Sequence, residues 1–180
     1  IFNLLLMDEE IRQRKVLTPE QAYVKVRHYC AFQERTHLEV KRKLSGYGLS
    51  WTQAGELIAR LIEDGFLNEE RFARSFAGGK FRMKGWGRKK IELELKMRQI
   101  SAYSVRKAIN EEIDPDAYEK TLRKLLEKKW NSLKSPGDTH YTKQAKTRQY
   151  LLARGFENDL ISRELKKFTD GQTNSHNSSN

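Results

Sequence analysis

A chain of 180 residues is long enough for one compact domain or for a few small units in tandem. With 37% hydrophobic residues, 33% charged residues and a mean hydropathy of −0.82, it can bury narrow apolar stripes but not the large core of a two-sheet sandwich. A net charge of +11 and a pI near 9.7 favour an acidic partner, whether nucleic acid, an anionic membrane surface or an acidic protein face.

The chain opens with an apolar stretch, Ile1 to Met7, that lacks a basic leader and runs straight into Asp8, Glu9 and Glu10. It does not read as a signal peptide. Residues 1–17 are expected to be a leader, with Met7 as a candidate start. No run approaches the roughly 20 apolar residues of a membrane span, so no membrane partner is expected. A single cysteine, Cys30, excludes an internal disulfide and suits a reducing cytoplasm.

Beyond the leader, apolar residues recur three and four apart and strand-like alternation is nearly absent, which predicts an all-α chain. A first helix begins at Leu17-Thr-Pro-Glu, with Thr18 as N-cap and Pro19 at the first helical position. A second start lies at Asn68, followed by the core stripe of Phe72 and Phe76. A third lies at Asp114-Pro115 and carries the apolar row Tyr118, Leu122, Leu125, Leu126 and Trp130. Each start precedes one copy of a shared helix-turn-helix pattern: Val40 to Leu61, Ile91 to Ile113 and Thr147 to Phe168. Leu44, Leu95 and Leu151 align, as do Leu49, Ile100 and Phe156, then Ala54, Val105 and Ile161, then Ile58, Ile109 and Leu165. Gly48 and Gly155 stand where the first helix of the pair should end in a left-handed cap, and Gln99 takes that place in the middle copy. Ser50 and Ser101 read as N-caps of the next helix.

The expected organisation is therefore three tandem three-helix units at residues 18–66, 67–113 and 114–168, forming an elongated, curved molecule that suits a long partner. The polar segment of residues 169–180 is expected to be a disordered tail.

Positive charge concentrates between Lys80 and Arg98, with eight Lys or Arg against two Glu. Lys80, Arg82 and Lys84 precede a turn in which Gly85 and Gly87 flank Trp86, and Arg88, Lys89 and Lys90 follow it at a helix start. Cations there oppose the helix dipole. With free backbone N–H groups they would form an anion site, and Trp86 could stack on a base. The competing reading is a solvated loop with Trp86 packed between units. Lys143, Lys146 and Arg148 form a weaker second patch. Lys41, Arg42 and Lys43 form a third, better read as a solvated helix face.

Catalytic and metal chemistry has little support. His28 and Cys30 point to different sides of a helix, and His37 and His140 lack partners at metal spacing. Gly78-Gly79-Lys80 follows a helix and lacks the other residues of a phosphate loop. The pairs Glu63/Asp64 and Glu111/Glu112 read as solvated charge. The second helices of the pairs are mixed or acidic, unlike a helix that reads base edges. A non-enzymatic binder is expected.

Three stretches resemble the RecX family. Glu34 to Leu44 follows its ER-[ST]-x-x-E-[VL] pattern, Gly65 to Ala73 its G-[FY]-L-[ND]-[DE]-x-R-F-A signature, and Lys80 to Lys90 its basic loop. The resemblance extends from about Tyr23 to Phe168 and is strongest over the first two units. It departs from the family pattern at the long first helix of the last unit and its Ser135–Gly137 linker. The resemblance implies tandem three-helix repeats and no metal or cofactor. It implies a partner, the RecA recombinase filament on single-stranded DNA, with restraint of filament growth, ATP hydrolysis and strand exchange, and so control of recombination and the SOS response. The chain is expected to act as a monomer and to touch DNA directly or through RecA. The alternative is a stand-alone, nonspecific nucleic-acid-binding protein.

Overall fold

The computed structural model describes residues 16–177, with side chains as far as residue 171. Most of the expected leader and the last three residues lie outside that range. Among the described residues the chain is all-helical. The helices are α1 (Pro19–Phe32), α2 (His37–Gly46), α3 (Trp51–Glu63), α4 (Glu69–Lys84), α5 (Arg88–Met97), α6 (Ala102–Glu112), α7 (Pro115–Ser132), α8 (His140–Ala153) and α9 (Asn158–Asn177).

Their boundaries follow local chemistry. Thr18 and Ser50 cap α1 and α3 through reciprocal capping boxes with Gln21 and Gln53. Asn68 accepts from the Arg71 N–H, Ser101 from Ser104 and Asp114 from Ala117, satisfying donors at the starts of α4, α6 and α7. A further capping box, Thr36 with Glu39, starts α2. Its T-x-x-E spacing is readable in the sequence.

The helix-pair turns behave as their residues predict. Gly48, Gln99 and Gly155 have φ of +84°, +60° and +87°. In the first and last turns, the Leu49 N–H returns to the Leu44 carbonyl and Phe156 to Leu151, which closes each helix. The repeat-aligned leucines Leu44, Leu95 and Leu151 are fully buried, and the residues just after each turn, Leu49, Ile100 and Phe156, are buried.

The chain clusters into two compact units. The first comprises residues up to Phe72 together with 98–100. Its core packs Val26 of α1 against Val40 and Leu44 of α2 and Leu61 of α3. The Tyr23 hydroxyl donates to the Asp64 carboxylate, and Arg71 pairs with Glu34 at 2.5 Å.

The second unit comprises residues 73–97 and 101 onward. Here the segment around α5 and the three helices α7, α8 and α9 share one core. A run of rings carries it, Phe81 to Tyr118 at 5.9 Å and Tyr118 to Phe156 at 5.0 Å. Trp130 closes the far end against His140 and Phe168.

Helix α9 continues to Asn177, where a disordered tail was expected from residue 169. Phe168 is anchored on Trp130 and the Thr169 hydroxyl donates to the Lys166 carbonyl. No proline follows, so a helix already nucleated by packing propagates through the polar residues.

Candidate nucleic-acid interface

The basic turn lies within the second unit. Helix α4 ends at Lys84 in a left-handed Gly85 (φ +59°), with the Trp86 N–H reaching the Lys80 carbonyl. Gly87 then meets the α8–α9 turn backbone to backbone. Its N–H donates to the Arg154 carbonyl at 2.8 Å, and the Lys89 N–H to the Gly155 carbonyl at 3.1 Å. A Cβ on Gly87 would lie 2.2 Å from the Gly155 oxygen, and one on Gly155 would lie 2.4 Å from the Lys90 nitrogen. Glycine is required at both positions because two backbone segments cross without room for a side chain.

That contact corrects one expectation. The N–H groups at the start of α5 do not form an open anion site. Gly87 and Lys89 are bonded as described, and the Arg88 N–H donates to the Tyr118 hydroxyl at 3.0 Å. The Tyr118 hydroxyl in turn donates to the Glu157 carboxylate at 2.7 Å. Burial, together with the Glu157 bond, raises the Tyr118 pKa, while the Arg88 N–H pulls it down.

Many of the expected contact cations are also engaged. Arg88 stacks its guanidinium over the Tyr118 ring at 4.1 Å. Arg82 pairs with Glu112 at 3.2 Å, a carboxylate that Arg74 shares. This pair crosses Gly78, where a Cβ would strike both the Arg82 and Glu112 side chains. Gly78 thus makes room for an ion pair, while Glu111 pairs with Arg74. Trp86 is half-buried edge-on to Phe76, with the Lys80 and Lys90 ammoniums 5.2 and 4.7 Å from its ring. Lys90 also donates to the Ala153 carbonyl.

Lys84 and Lys89 differ from these. Both are exposed, and among the described residues neither has a carboxylate within ion-pair distance. The turn therefore presents Lys84 and Lys89 from a rigid base, with Lys80, Trp86 and Lys90 as a preassembled cation–aromatic cluster beside them.

The second patch is largely spent on structure. Lys146 binds Asp138 at 2.5 Å, and Lys146 and then the Ser135 N–H hold that carboxyl below the usual carboxylate range. Arg148 donates to Asn158 and to the Ser162 hydroxyl, bracing α8 against α9. Lys143 is half-buried near Asp138.

Among the described residues, no three His, Cys, Asp or Glu side chains gather as metal ligands, and no helix is long and apolar enough to cross a membrane.

The repeat geometry has counterparts. Residues 68–109 match the second three-helix domain of RecX, and residues 116–165 match the third. The chain is 27% identical over 146 residues to the regulatory protein RecX of Clostridium perfringens, covering 77% of this chain and 64% of that one. The regulatory protein RecX of Salmonella paratyphi C is 30% identical over 153 residues, covering 78% of this chain and 87% of its own. The chain thus spans less than two thirds of the clostridial relative and most of the Salmonella one. The crystal structure of RecX from Lactobacillus salivarius superposes with a TM-score of 0.73 at 26% identity, covering 83% of this chain and 95% of that one. With these helical units matched in sequence and in fold, the chain belongs to the RecX family.

Proposed function

We propose that this protein is a non-enzymatic regulator that binds the RecA–single-stranded DNA filament and restrains its ATP hydrolysis and strand exchange, and thereby modulates recombination and SOS repair. Family membership supports the partner. The observation that carries the site is the braced turn with Lys84 and Lys89 exposed beside the Trp86 cluster. A rigid base lowers the ordering cost of binding, and unpaired ammoniums are free to meet phosphate or carboxylate. Several weak contacts along one chain, tethered to neighbouring filament subunits, add to a strong whole. The protein acts as a monomer in the cytoplasm and needs no cofactor.

Charge reversal at Lys84 and Lys89 tests the site better than reversal at Arg88 or Lys90, whose side chains also support the fold. Lys84→Glu with Lys89→Glu is expected to abolish inhibition of RecA ATP hydrolysis while helicity and melting temperature hold. Undiminished inhibition would remove the turn from the mechanism.

A further inference from the structure

The first unit holds a groove that the basic turn does not explain. Its volume is about 340 Å³, and it runs between α2 and the start of α3. Leu38, Leu49 and Ala54 supply the apolar floor, while Lys41, Arg42 and Trp51 supply the rim, with no carboxylate in the lining. Trp51 is 76% exposed, in contrast to Trp130, which is 4% exposed. The Lys41 ammonium lies 3.0 Å from the Trp51 ring centroid. Among the described residues, neither Lys41 nor Arg42 has a carboxylate within ion-pair distance. On this face the helix pair holds an exposed indole and two unneutralised cations on one apolar slot.

We propose that this groove seats one unpaired nucleobase of a single strand, stacked on Trp51, with its flanking phosphate on Lys41 and Arg42. An indole left in water exposes a large apolar area, and a flat base covers it without needing a particular sequence. The rim charge selects an anion-bearing occupant. The second unit repeats the pairing of tryptophan and lysine at Trp86, but half-buried and closed by Phe76, so the first unit carries the more open platform. The inference does not rest on the filament reading, and its test contains no recombinase.

The test compares a fluorescein-labelled oligothymidylate with a base-free deoxyribose-phosphate oligomer of equal length, read by anisotropy at low salt. The wild-type protein is expected to prefer the oligothymidylate by about ten-fold. Trp51→Ala should abolish that preference, and Trp51→Phe should restore most of it. Arg42→Gln should weaken both probes alike and flatten the salt dependence. An unchanged melting temperature of Trp51→Ala is the folding control, since the side chain is exposed. Equal wild-type affinity for the two probes, no binding of either, or a preference that survives Trp51→Ala overturns the proposal.

Discussion

The basic turn at Lys80–Lys90 and the Trp51 groove carry similar residues and use them differently. In the turn, three successive backbone donors, Gly87, Arg88 and Lys89, are consumed by the protein itself. Arg82, Arg88 and Lys90 are engaged with Glu112, Tyr118 and Ala153. In the groove, Lys41 and Arg42 pair with no carboxylate among the described residues, and the indole faces water. Charge density along a sequence therefore overstates what the turn can offer a partner and understates what the groove can. A dense cluster must stabilise its own crossing of backbone segments before it can bind anything else.

The comparison breaks first at the crossing itself. Gly155→Ala places a Cβ inside the Lys90 backbone and forces an alanine to φ +87°, so the second unit should lose roughly 3 kcal/mol in urea denaturation. The matched change in the first unit, Gly48→Ala, meets only the Val16 side chain and should cost about 1 kcal/mol, mostly from φ. Equal losses would mean that the turn is not braced as described.

A smaller effect is expected at Tyr118→Phe. It leaves the Arg88 N–H without its acceptor and removes the donor to Glu157, and should cost about 1–2 kcal/mol. It should also change the alkaline limb. A phenol whose folded pKa is raised contributes stability that is complete below its unfolded value of 10.0 and falls away as pH rises above it. Stability of the wild type should thus decline above about pH 10, and Tyr118→Phe should flatten that decline. A wild-type profile unchanged by the substitution would contradict the buried phenol.

The smallest effect separates the turns from one another. Gln99 holds φ +60°, where its glycine counterparts carry no Cβ strain. Gln99→Gly should stabilise the protein by about 0.5–1 kcal/mol, offset in part by the freer unfolded chain. Destabilisation would show that the Gln99 side chain matters more than its backbone strain.

These turns were legible because their chemistry is local. A left-handed residue, a hydroxyl cap and an apolar residue five positions on can be read from one strip of sequence, and Gly48, Gln99 and Gly155 align on that basis. The helix starts at Thr18, Asn68 and Asp114 were legible for the same reason. What each cation touches was not legible. Arg82 meets Glu112, Arg148 meets Ser162 and Gly87 meets Arg154 only because separate helices fold together. The expectation of open N–H groups at Arg88 failed because the partners come from residues far along the chain. The exposure of Trp51 was hidden similarly, since a tryptophan at a helix start reads equally well as core. The extension of α9 past Phe168 depends on Trp130.

The most direct test of the central claim is ATP hydrolysis by RecA on single-stranded DNA, titrated with this protein far below the RecA concentration. We expect strong inhibition at that small ratio, because a few filament-bound molecules restrain many subunits. Inhibition that begins only when the protein saturates the DNA would contradict the account and leave a nonspecific competitor for the strand.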